Sequence, residues 1–202
     1  MKQKELGGWQ FNVRVYEDYV LKTPKKRKEI EKSVKKYLYS IGKLDRLNST
    51  VDKIIIDIKN SNIPRAFLAD LEFLKNEKIK QKRVIPLKEY LEKLNETEKK
   101  NLFKDISNFI LKLWEYGIHE KTFKLFSNMG FDKDSLVLID AFELTDNKEK
   151  VLNQIEKAPW KKKQKFNKNL SESLRNYLIK ELDKRLTKEN LDKYWKKAYS
   201  TL

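Results

Sequence analysis

Phe11, Val13 and Val15 alternate with Gln10, Asn12 and Arg14 near the start of the chain. A period of two puts alternate side chains on one face of a sheet, so residues 9–16 read as a strand. Glu17-Asp18 reads as a short turn and Tyr19 to Lys22 as the return strand, stopped by Pro24, which has no N–H for a ladder. Beyond Lys25 the period lengthens. Ile30, Val34, Tyr37, Leu38 and Ile41 recur at helical spacing, with Gly42 placed to end that helix. Residues 51–58 fit either a strand or a buried helical turn, and 66–74 either a helix or a loop, because short apolar runs do not select a period. Residues 78–85 alternate at their start and read as a strand, after which Pro86 suits the first position of a helix continuing through Leu91.

The clearest helix lies between Glu98 and Tyr116, where Leu102, Phe103, Ile106, Phe109, Ile110, Leu113 and Trp114 form one broad apolar stripe and Gly117 ends it. Two short strand candidates follow, Phe123–Phe126 and Ser135–Ile139, the second running straight into Asp140. Helices are expected over about 147–157, 168–186 and 188–200. Strands early and helices late give an α+β fold with two lobes, a β-rich unit over residues 1–85 and a mainly helical one over 86–202.

Three stretches in a fixed order carry a resemblance to protein kinases. The first is Leu6-Gly7-Gly8-Trp9-Gln10-Phe11, a pair of glycines before a hairpin, where kinases place a glycine-rich turn whose N–H groups approach ATP phosphates. The second, Val20-Leu21-Lys22, resembles the Val-Ala-Ile-Lys strand, whose lysine pairs the phosphates and a helix glutamate. Glu29 and Glu31 are both candidates for that glutamate, and the sequence does not choose between them. In the third, a long apolar helix runs through Tyr116-Gly-Ile-His-Glu120 to Asn128, and Leu136-Val-Leu-Ile139 leads to Asp140. This resembles the catalytic loop and the Asp-Phe-Gly strand, and it implies Asn128 and Asp140 as Mg²⁺ ligands. Hard oxygen donors of this kind suit Mg²⁺, which also takes water and phosphate oxygens. Lys82-Arg-Val-Ile85 followed by Pro86 resembles the hinge that meets adenine. The resemblance covers roughly residues 6–144 and implies a truncated kinase-like fold with ATP and Mg²⁺ as cofactors.

The departures shape the expected activity. Kinases carry a catalytic aspartate five residues before the asparagine; here that position is Phe123, which cannot accept a proton. Glu120 is the nearby carboxylate that could orient an acceptor from a shifted loop. His119 reads as a structural histidine. Asp140-Ala141-Phe142 lacks the usual glycine, and Ala158-Pro159-Trp160 reads as a loop proline beside a core tryptophan. The favoured reading is therefore a nucleotide-binding pseudokinase or binding module. An active atypical kinase acting on a protein or small molecule is the alternative.

Composition adds a third reading. The chain has 202 residues with 46 Lys and Arg against 30 Asp and Glu, a formal charge of +16. A field of that sign attracts nucleotides, nucleic acid, anionic headgroups or an acidic protein. Lys25-Lys-Arg-Lys28 and Lys161-Lys-Lys163 with Lys165, the latter between Trp160 and Phe166, offer phosphate neutralisation beside aromatic faces, as single-stranded nucleic acid requires. The absence of Cys and the single His exclude disulfides, thiolate chemistry and an ordinary zinc site. No signal-like segment follows Met-Lys-Gln-Lys and no apolar run is long enough to span a bilayer, so a cytoplasmic location is expected.

Overall fold

The computed structural model describes residues 4–7, 11–26, 28–29, 58, 62–120, 122–162 and 167–196. They form a mixed α+β arrangement with small antiparallel sheets. The first sheet has five strands: β1 (Lys4–Gly7), β2 (Phe11–Val15), β3 (Tyr19–Pro24), β4 (Glu72–Phe73) and β5 (Ile79–Lys82), in the order β1-β2-β3-β5-β4. The expected alternation holds in β2, where Phe11 is buried while Asn12 and Arg14 face solvent. Lys22 pairs with Val13 on one side and Ile79 on the other, which places it in the middle of the sheet. Of the expected helix over 25–42 only residues 25, 26, 28 and 29 are described, Lys28 and Glu29 as helical, and the stretch 51–57 lies outside the described residues. Residues 66–74, open on sequence, resolve as a 3-10 turn at Arg65–Leu68 followed by β4. Ala69 and Asp70, both at φ 51°, turn the chain between them.

The chain leaves this sheet through residues 82–86. Arg83 N–H bonds to Asp18 O at 2.9 Å, and its guanidinium lies 3.4 Å from the carbonyls of Tyr16 and Glu17, which anchors the crossing to the β2–β3 turn. Pro86 is not the first helical residue as expected. Its ψ of 138° makes it the cap before α1 (Leu87–Leu91), and it joins Ile85 in β6 (Ile85–Pro86), opposite Gly130 and Phe131.

The core is organised by α2 (Glu96–Glu115). Asn95 and Glu98 form a reciprocal capping box, with Glu98 N to Asn95 Oδ1 at 3.0 Å and Asn95 N to Glu98 Oε2 at 2.8 Å. All seven apolar residues of the expected stripe are buried. Gly117, at φ 66°, reverses the chain into β7 (His119–Glu120). The expected strand at Phe123–Phe126 is absent: Leu125 and Phe126 are both buried, a helical pattern, and the turn α3 (Leu125–Asn128) closes on Lys124 O. The hairpin β8 (Met129–Asp132) and β9 (Ser135–Leu138) follows, then β10 (Leu144–Thr145), which pairs with β7. Helices α4 (Lys148–Lys157), α5 (Glu172–Arg185) and α6 (Lys188–Tyr194) finish the described chain. Leu174, Leu178 and Leu182, four residues apart, bury the face of α5 that packs on α2.

Candidate nucleotide cleft

A cavity of about 690 Å³ opens between the five-stranded sheet and the β8–β9 hairpin, with residues 82–86 along one side. Val13, Val15 and Val20 line its sheet side, and Phe131 and Ile139 line the hairpin side. Both sides therefore carry apolar side chains among charged ones, a mixture a heteroaromatic ligand with phosphates could use, and a volume of this size suits a small molecule. Phe131 is held by a parallel stack on Tyr90, 4.2 Å between ring centres.

Lys22 and Asp140, more than a hundred residues apart, face the same cavity. The Lys22 ammonium donates a short hydrogen bond to the carbonyl of Ile139. Burial pulls its pKa below the ordinary lysine value, and the negative charge of Asp140 opposes that fall. An incoming phosphate would act in the same direction as Asp140 and favour the ammonium.

Asn128 and Asp140 are brought together at the backbone: Asn128 O accepts from Ile139 N at 2.9 Å and from Asp140 N at 3.2 Å. Their side chains differ in setting. Asp140 lines the cavity, whereas Asn128 is buried and its amide donates to Glu120 Oε1 at 2.9 Å and to Thr122 Oγ1 at 3.2 Å.

Glu120 is also buried. Its Oε1 accepts from Thr122 N at 3.0 Å and from the Thr122 hydroxyl, and its Oε2 has no partner. Burial raises its pKa against the pull of those hydrogen bonds. A carboxylate so enclosed orients Asn128 rather than reaching an acceptor. Phe123, five residues before Asn128, is buried with its ring 5.1 Å from that of Trp160.

His119 is satisfied on both nitrogens. Trp114 Nε1 donates to its Nδ1 at 2.9 Å, and its Nε2 lies 3.0 Å from Gln154 Oε1. Burial lowers its pKa to about 4, so it is a neutral structural group. Of the remaining expectations, Gly7 ends β1 opposite Asn12, and Gly8 lies outside the described residues. Glu29 is exposed and its carboxylate accepts from Lys26 N at 2.8 Å; Glu31 lies outside the described residues.

The expected aromatic–basic surface around Trp160 is not formed by that ring. Trp160 is buried, its Nε1 bonded to Asp183 Oδ1 at 2.8 Å, and Lys161 pairs with Asp183 at 3.1 Å. Lys163, Lys165 and Phe166 lie outside the described residues.

No protein-family model and no curated protein matches this chain.

Two site residues had no signature in the sequence. Gln81 is buried where the cavity meets the core and donates to Leu68 O at 2.8 Å and Leu138 O at 3.3 Å, joining two sheets. Gly130 is packed so closely that a Cβ there would lie 2.6 Å from Val84 Cγ2 and 2.9 Å from Ile139 Cγ2, both on cavity-lining residues. A buried amide among charged neighbours and one glycine in a hairpin look ordinary until the strands are placed.

Among the described residues no helix is long and apolar enough to cross a membrane, and no group of three His, Cys, Asp or Glu side chains converges as a metal site. Mg²⁺ does not require such a group. It commonly takes one or two carboxylates together with nucleotide phosphates and water, and Asp140 fits that role.

Proposed function

We propose that the chain is a protein-kinase-like nucleotide-binding module, a β-rich lobe over 1–85 and a truncated helical lobe over 86–202, that holds ATP in the cleft without a catalytic base. The observation that carries this is the meeting of Lys22 on β3 and Asp140 after β9 in one cavity, with valines on its sheet side and Phe131 and Ile139 opposite, bordered by the crossing at 82–86. The order and chemistry are those by which kinases bring a β3 lysine and an Asp-Phe-Gly aspartate to the phosphates.

In this reading the adenine lies between the valines of the sheet and Phe131, against backbone groups of the crossing. Lys22 holds the phosphates as a cation. Asp140 would hold Mg²⁺, whose contribution is to neutralise phosphate charge. Glu120 fixes the Asn128 side chain, and Phe123 leaves no carboxylate at the acceptor position.

The test is thermal shift with ATP and Mg²⁺. The wild type should be stabilised, by about 2.7 kcal/mol at a hundredfold excess over Kd, and Lys22→Met and Asp140→Asn should each lose that shift. Retention of the full shift in both variants removes the reading. Transfer of labelled γ-phosphate to an acceptor, lost in Asp140→Asn, would instead establish the active-kinase alternative.

A further inference from the structure

A second cavity, about 760 Å³, lies beside the nucleotide cleft, and Ser127 lines both. Its apolar wall includes Leu91, Phe126, Pro159 and Leu170. Around it stand Lys88 from α1, Lys99 from α2, Lys124 from the loop before α3 and Lys168 from the turn before α5, against one acid, Glu92. Lysines on four separate segments do not form one solvated helix face.

The charge balance singles this cavity out even in a chain of +16. Among described lining residues, the nucleotide cleft matches Lys22, Lys82, Arg83 and Lys133 with four acids. The cavity beside α2 and the β8–β9 turn has Lys112 and Arg185 against Asp105, Glu115 and Asp134, and the one under β4 pairs Arg65 with Glu72. Only the Ser127 cavity of these four holds a clear cationic excess. Lys124 lies 3.7 Å from Glu143, whereas Lys88, Lys99 and Lys168 make no ion pair among the described residues. Ammonium groups around a concave, partly apolar recess concentrate field on an anion that enters it.

We propose that this cavity is a ligand site for a small organic molecule bearing phosphate or carboxylate groups, its apolar wall taking the carbon skeleton and its lysines the anions. The volume suits a small molecule rather than a polymer tract. Its position beside Ser127 would set that ligand next to the phosphate end of a nucleotide; this placement rests on the nucleotide reading, while the anion site does not.

Binding of inorganic pyrophosphate, measured by calorimetry at about 0.15 M ionic strength to screen the general surface field, tests the site. Lys88→Glu with Lys168→Glu should weaken it at least about tenfold, a change of about 1.4 kcal/mol. The charge-matched pair Lys75→Glu with Lys150→Glu, which lines neither cavity, should change it less than about twofold. Equal loss in both pairs would mean a diffuse field and overturn the proposal, as would absence of binding to the wild type. Loss in Lys22→Met would place the probe in the nucleotide cleft and also overturn it. Pocket-dependent affinity for a single-stranded oligonucleotide without any for pyrophosphate would reassign the surface to nucleic acid. Pocket-dependent pyrophosphate binding with no ATP shift would leave the anion site standing and remove the nucleotide reading alone.

Discussion

Two buried ionisable residues adjacent in sequence pull stability in opposite directions with pH. His119 resists protonation in the fold, with a pKa of about 4 against an ordinary 6.5. The unfolded chain therefore takes up that proton first, and stability falls as pH drops from about 6.5 towards 4, by up to about 3 kcal/mol. His119→Gln should remove this acid-side loss in urea titrations run at several pH values; an unchanged slope would show that the fold does not depress the His119 pKa. Glu120 has a raised pKa, so its contribution is full below the ordinary 4.5 and is lost as pH rises through the folded value. Glu120→Gln keeps an acceptor for Thr122 and Asn128 and removes the buried charge. The variant should melt higher at pH 8 by roughly 2–4 °C, about 1 kcal/mol, with the gain shrinking towards pH 4.5. A lower melting point at pH 8 would mean the ionised carboxylate is needed.

At the scale of elements, α2 and the β8–β9 hairpin support the cleft. Asn95→Ala should cost about 1 kcal/mol by removing the cap of α2, read from chemical denaturation. Gly130→Ala should cost about 1–3 kcal/mol through overpacking. It should also weaken nucleotide affinity, because the new methyl can be accommodated only by moving both Val84 and Ile139; unchanged affinity would show that the displaced groups do not shape the bound state. The same elements show what the sequence makes readable. The stripe of α2 spans many turns and selects one period, and Lys22 stands within a strand while Asp140 follows an apolar strand two residues past its end. Phe123–Phe126 has too few residues to separate two periods, and its burial follows from Trp160, a contact no local pattern reports. Glu120 looked available because it neighbours the loop in sequence, but pairing of β7 with β10 places it in the interior. Trp160 is buried, as the reading of a core tryptophan beside a loop proline expects and as a stacking face for nucleic acid does not.

For the whole molecule, the excess of base over acid is a source of self-repulsion. The melting temperature should rise as salt is added from a few millimolar towards about 0.15 M, where the Debye length shortens to about 8 Å; a flat or falling curve would show that attractive pairs such as Lys82–Asp132, 2.7 Å apart, outweigh it. In the kinase-like reading proposed above, the missing acid corresponds to one side chain, Phe123. Phe123 occupies a left-handed backbone position, φ 56°, which aspartate and asparagine adopt more readily than an aromatic residue. The main chain there already has a shape that suits an acid; what opposes the exchange is the packing of a buried ring beside Trp160 and His119 and the cost of burying an unpaired charge. Under the kinase-like proposal, an acid introduced by Phe123→Asp would need solvation or a partner in that interior, and not a reshaped loop.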